Sequence, residues 1–291
     1  MSRPKYRRLV IVAIISSVVT FVLAVGGSGA WYYRKSTRLQ SLLDASRVAE
    51  EAQDWSTVEA NLRSYVARGG DDPTVYFRIG RAIESGAINE RDRLRAIPFY
   101  ARSLAKQPNH LESRLRFAEL QVTDNPPEAI KVADRILQGR PDHPDAWRIK
   151  ALARLRIASR TEAAVDRLTE ADEVVAKALT LAPGDLKLAS QAADFYARHA
   201  AVIAKARRTS VEEVNEFARK TLDAAVEQAE DEAEARLARV LFRRRQASVV
   251  PGDAVISEDI QRLVELRPNS NSVRMLAAGW ATGKALLSKT D

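Results

Sequence analysis

The chain has 291 residues, no cysteine, and 46 Lys+Arg against 38 Asp+Glu, a formal charge of +8. Without cysteine, disulfide scaffolds, thiol catalysis and Cys-ligated metal are excluded. Sparse Gly (12) and Pro (11) beside abundant Ala, Leu, Arg and Glu exclude collagen-like and wholly disordered chains and predict an all-α protein.

The charge is unevenly placed. Residues 1–38 hold Arg3, Lys5, Arg7, Arg8, Arg34, Lys35 and Arg38 and no acid. Removing these seven leaves 39 basic and 38 acidic residues over 39–291, a net of +1. A nearly neutral remainder attracts a phosphate backbone weakly, so no nucleic-acid partner is expected.

Residues 1–8 form a basic tail. Leu9–Ala30 is an uncharged run of 22 residues; at about 1.5 Å per residue it is long enough to cross a hydrocarbon core of about 30 Å. Trp31, Tyr32 and Tyr33 follow as interfacial aromatics do, within a juxtamembrane linker over 31–38. The reading is a single-pass transmembrane helix in the inner (plasma) membrane. A short basic tail ahead of the first apolar run places residues 39–291 on the extracytoplasmic side. The other reading is a cleavable signal with Ser28-Gly29-Ala30 as its cleavage site, releasing a secreted soluble module. The length of the apolar run and the aromatic belt favour the anchor. Ser16, Thr20, Ala24 and Ser28 fall every four residues, a face on which two membrane helices could pair as a homodimer.

From 39 to 291 the pattern is repetitive. Prolines open similar polar corners at Pro108-Asn109-His110, Pro141-Asp142-His143, Pro183-Gly184-Asp185 and Pro268-Asn269-Ser270. Before each lies an i, i+4, i+7 stripe: Ala96/Tyr100/Ser103, Ala129/Ala133/Ile136, Ala171/Val175/Ala178 and Ile256/Ile260/Leu263. The same spacing gives Val58/Leu62/Tyr65 before Gly70 and Ala218/Leu222/Ala225 before Glu230. Each stripe is one face of a helix, which the proline then ends. Between them lies a second set of helices, each centred on a small residue: Ser46, Gly80, Ala118, Ala151, Ala193, Ala238 and Ala278. A small side chain there lets paired helices pack closely.

This pattern resembles the tetratricopeptide repeat (TPR) family, in which a helix with a bulky and a small residue is followed by a second helix with Ala, an aromatic, Ala and a closing Pro. Tyr76, Ile79, Gly80, Ile83, Ala96, Tyr100 and Pro108 match it closely, and Trp147, Ala151, Ala171, Ala178 and Pro183 in part. Asp54-Trp55 before Val58 looks like the family's turn between helices. The resemblance implies a right-handed α–α hairpin solenoid of about six hairpins plus a terminal helix, covering about 39–290. From each central small residue to the second helix the spacing is 12, 16, 11, 20, 25 and 18, against about 12 in the family. Several repeats therefore carry insertions, the largest near Arg207-Arg208-Thr209-Ser210. The final helix is either a cap or an internal helix of a longer array.

Little here points to chemistry. His110 and His143 occupy equivalent corners, and His199 lies on an Ala-rich helix. Metal ligation needs several converging donors, so no metal, no cofactor and no catalytic residue is expected. Acidic runs such as Glu227 to Glu234 read as solvated faces. The resemblance implies a concave face lined by the first helices. The candidate peptide-binding residues there are Phe77, Arg78, Arg81, Leu115, Arg116, Arg148, Leu152, Arg198, Arg236 and Arg239. An arginine-rich lining suits an acidic or carboxylate-bearing peptide. The function expected is a membrane-anchored, non-enzymatic scaffold or adaptor for protein–protein interaction in the cell envelope.

Overall fold

A computed structural model describes residues 33–160, 164–229, 231–245 and 253–287. Every regular element among them is a helix. The chain divides into two compact units, Met1–Ser113 and Arg114–Asp291, with the boundary inside one helix.

The first unit holds α1 (33–51), α2 (Trp55–Ala67), α3 (Val75–Ser85), the single-turn α4 (Glu90–Leu94), α5 (Ile97–Lys106) and the start of α6 (Leu111–Asp124). The second holds the rest of α6, then α7 (Pro126–Gly139), α8 (Pro144–Arg160), α9 (Val165–Leu181), α10 (Leu186–Arg207), α11 (Val211–Gln228), α12 (Glu232–Arg245), α13 (Ala254–Leu266) and α14 (Asn271–Leu287). Sequence neighbours pack as hairpins: α2 with α3, α3 with α5, α8 with α9, α10 with α11, and α12 with α13. In the second unit α8 also touches α10, and α10 touches α12.

One corner recurs four times. Gln107, Arg140, Ala182 and Arg267 each precede a proline and adopt φ between −143° and −130° with ψ between 61° and 81°. The proline ring bars its predecessor from the helical region. Each of the four donates its N–H to the carbonyl four residues back, at 2.7–2.9 Å. The residue two beyond the proline then donates back across the corner, at 3.1–3.2 Å. A polar side chain caps the next helix: His110 Nδ1 accepts from Ser113 N at 3.2 Å, Asp185 from Leu188 N at 2.8 Å, and Ser270 from Val273 N at 3.4 Å. Capping satisfies N–H groups that the first turn leaves without partners.

All six i, i+4, i+7 stripes are buried, with no member more than 7% exposed. In two of the wider repeats the surplus spacing forms helix. Between Gly80 and Ala96 it forms α4, and at the widest repeat it lengthens α10 to 22 and α11 to 18 residues around a corner of only Arg208–Ser210. Arg208 turns that corner with a left-handed φ of 56°.

The central small residues Ser46, Gly80, Ala118, Ala151 and Ala193 are buried, but Ala238 is half-buried and Ala278 exposed. The last hairpin uses a different register. Helix α12 serves two cores: Phe242 joins the one built by α8 to α11, while Ala233 and Val240 pack with Ile256, Leu263, Val273 and Leu276. A helix between two apolar neighbours cannot be described by one central residue.

The membrane expectations need correction. Among the described residues no helix is long and apolar enough to cross a membrane. The longest, α10, carries Lys187, Asp194, Arg198, Lys205 and Arg207; charges every turn or two make desolvation prohibitive in a bilayer. The span read over Leu9–Ala30, its homodimer face and the cleavage site after Ala30 lie outside the described residues. Among the described residues the fold is thus an all-α helical repeat with no helix able to cross a membrane, and neither the single-pass inner-membrane location, the extracytoplasmic orientation nor secretion is supported.

Gly80 shows how close the pairing is. A Cβ built there would lie 2.7–3.0 Å from the ring of Tyr100, which is fully buried. Gly80→Leu is expected to cost about 1–3 kcal/mol through overpacking, read as a lowered urea midpoint at unchanged slope.

Candidate protein-binding groove

Most arginines placed on the first-helix face are held by neighbours. In the first unit Arg78 donates to Glu50 at 2.9 Å and to the buried Ser46 hydroxyl at 2.7 Å, joining α3 to α1. Phe77 packs edge-on against His110 with ring centres 4.8 Å apart, and Arg81 is exposed.

In the second unit Arg148 of α8 contacts Glu119 of α6 at 3.0 Å and Asp185, the cap of α10, at 3.5 Å. Burial works against the Glu119 carboxylate, but Arg148 beside it prevails and holds its pKa below the usual range. Arg236 and Arg239 of α12 both bind Asp259 of α13, at 2.6 and 2.7 Å, and Asp259 is fully buried. Arg239 also reaches Asp223 of α11 at 2.9 Å. These arginines join neighbouring helices, with acids that neutralise them. Leu115 is half-buried, Leu152 is part of the core, and Arg116 is exposed with a 3.4 Å contact to Glu119.

Arg198 has a different setting. It lines a cleft of about 300 Å³ between α6, α8 and α10, with Val122, Leu155 and Phe195 as its apolar wall. Arg156 and Lys187 add two more exposed cations, and Thr123, Ser159 and Gln191 add neutral polar groups. The acid in the lining is Asp194, which pairs with Arg245 at 3.4 Å. The arrangement offers a half-apolar trough with three cations and hydrogen-bonding side chains along it. Arg156, Lys187 and Gln191 were not among the residues picked out from the sequence. Their signal was available: Lys187, Gln191 and Arg198 are four and seven residues apart, one face of α10.

His199 sits at the end of this cleft, where α10 breaks with φ −114° and ψ 18°. Its ring lies against Phe195, with centres 5.3 Å apart, and its Nε2 is buried without a hydrogen-bond partner among the described residues. Burial, and then the neighbouring Arg198, hold the imidazole below its usual pKa. His110 shares its Nδ1 with Ser113, and the His143 Nδ1 is buried. Among the described residues no three His, Asp or Glu side chains gather as a metal site.

No protein-family model and no curated relative matches the sequence. Solved structures do. The thermophilic TPR protein TTC0263 of Thermus thermophilus aligns at TM-score 0.52 and 16% identity, over 72% of this chain and all of its own. Its fold is TPR-like. PilF of Pseudomonas aeruginosa aligns at TM-score 0.52 and 14% identity, over 84% of this chain and 99% of its own. MamA, residue 41 to its end, from Desulfovibrio magneticus RS-1 aligns at 0.50 and 16%, over 66% and 94%. At these identities the likeness is one of fold.

Two outcomes follow from this division of the TPR-like fold's arginines. Asp259→Ala strands two guanidiniums against a buried face and is expected to cost about 3 kcal/mol, whereas Arg198→Ala stays within about 0.5 kcal/mol; urea unfolding of both separates braces from free cations. His199, with a folded pKa below the 6.5 of the free side chain, takes up its proton more readily when unfolded. Its contribution to stability is full above that value and is lost as pH falls through the folded pKa. The urea midpoint of the native chain should therefore fall further between about pH 7.5 and 5 than that of His199→Gln.

Proposed function

We propose that this protein is a non-catalytic interaction scaffold whose α6–α8–α10 trough holds an extended acidic segment of a protein partner. The observation that carries this reading is the trio Arg156, Lys187 and Arg198 beside Val122, Leu155 and Phe195 in one open cleft. Elsewhere on the first-helix faces Arg78, Arg148, Arg236 and Arg239 are already paired. A cation left exposed beside an apolar wall can bind a carboxylate while the wall takes a neighbouring side chain. The helical-repeat fold supports the reading by leaving a cleft between α6, α8 and α10. No chemical step is assigned: the Ser159 hydroxyl in the trough donates to the Arg156 carbonyl, and the His199 Nε2 has no hydrogen-bond partner among the described residues.

The test uses fluorescent synthetic peptides of matched length, one rich in Glu and Leu, the other with Gln for Glu. The acidic peptide should bind the full chain more tightly, and R156Q/K187Q/R198Q should weaken it about tenfold or more, as expected for the loss of about 1.4 kcal/mol or more. Equal binding of both peptides, or undiminished binding by the triple variant, would overturn the reading.

A further inference from the structure

A second concentration of positive charge lies in the first unit. Arg34, Lys35 and Arg38 project from the start of the described part of α1, and Arg68 follows α2. With Leu39 these four line a cleft of about 540 Å³. Arg34 and Arg38 are one helical turn apart, where like charges repel. Among the described residues no carboxylate comes within ion-pair distance of Arg34, Arg38 or Arg68, although such pairs brace other arginines from α1 to α13.

The sequence explains why no acid is at hand. The first carboxylate of the whole chain is Asp44, more than a turn beyond Arg38. The acids that follow Arg68 are engaged: Asp71 accepts from Lys106 at 2.7 Å, which holds its carboxyl below the usual range, and Asp72 accepts from Thr74 at 2.7–2.8 Å. The Lys35 ammonium lies close over Gly69, which holds a left-handed φ of 76°. A side chain at that position would crowd the ammonium, 3.2 Å from where its Cβ would sit.

We propose that this cleft is a binding site for a compact polyphosphate-bearing anion. Three guanidiniums supply planar pairs of donors that match phosphate oxygens. The volume lies in the range of small-ligand sites. Among the described residues the lining offers no aromatic face on which a nucleobase could stack; the phosphates are the groups its guanidiniums match. One multivalent anion would relieve the mutual repulsion of Arg34, Arg38 and Arg68, to which no acid among the described residues comes within ion-pair distance. The same chemistry is presented by a free polyphosphate and by an anionic lipid headgroup.

The experiment is calorimetric titration of the full chain with inorganic tripolyphosphate and with pyrophosphate at low salt. A parallel arm measures co-sedimentation with phosphatidylglycerol and phosphatidylcholine vesicles. Binding of tripolyphosphate is expected, weakening about tenfold or more in R34Q/R38Q/R68Q and on raising salt from about 50 to 200 mM. All three positions are exposed, and circular dichroism of the variant checks its fold. R156Q/K187Q/R198Q should bind tripolyphosphate as the native chain does, which keeps this site separate from the trough. Co-sedimentation with phosphatidylglycerol alone, competed by tripolyphosphate, identifies the headgroup as the source; tripolyphosphate binding without co-sedimentation identifies the free anion. Absence of binding in both arms, or binding undiminished by R34Q/R38Q/R68Q, overturns the site.

Discussion

The fold depends on how closely two helices of a hairpin can approach. Side chains at the crossing set the distance between axes, and this chain places Gly, Ala or Ser there: Gly80 under the ring of Tyr100, and Ala151 and Ala193 fully buried. The opposite helix fills the remaining space with a stripe of three residues per repeat. Alanine is the commonest member of those stripes, so the apolar area per helix is modest and contact must be intimate to stabilise the pair. Tyr100 and Tyr196, fully buried, supply bulk where the crossing leaves room. Tyr196 shows the cost of that choice: burial pushes its phenol upward in pKa, and its hydroxyl faces Arg207, which is bound to Asp172.

The prolines set the second constraint. Each fixes the residue before it in one narrow backbone state, and the same two hydrogen bonds then close each corner. A corner built this way has little freedom to lengthen. The lengthening falls at the other corners, within a repeat: around Arg208–Ser210 the added residues extend α10 and α11, and each gains a backbone hydrogen bond. The break at His199 lets the far end of α10 follow its own neighbours.

Much of this was legible in the residues. The stripes before the corners named the buried face of six helices, because 3.6-residue periodicity is a local property. The register of α12 and α14 was not, because Phe242 and Val240 answer to two different neighbours that no local window contains. The site residues illustrate the same limit. Arg148 and Arg198 look alike in sequence, yet one is clasped by Glu119 and Asp185 from other helices while the other faces an open cleft. The acids that clasp Arg148 from other helices lie 29 positions before it, at Glu119, and after it, at Asp185. The apolar run over 9–30 was the most conspicuous local feature and lies outside the described residues, while Arg34, Lys35 and Arg38 after it line a cleft with Leu39 and Arg68.

The pairing of the arginines also partitions the surface for anyone who would redesign it. Arg78, Arg148, Arg236 and Arg239 belong to the framework: changing their charge alters how helices hold one another, so a shift in binding there would be confounded with a shift in folding. Arg81, Arg156, Lys187 and Arg198 stand in solvent and can be exchanged with little penalty. Natural drift should show the same asymmetry, with the first group changing only together with their acids and the second free to follow a changing partner. A repeat protein arranged in this way can acquire new specificity without rebuilding its scaffold.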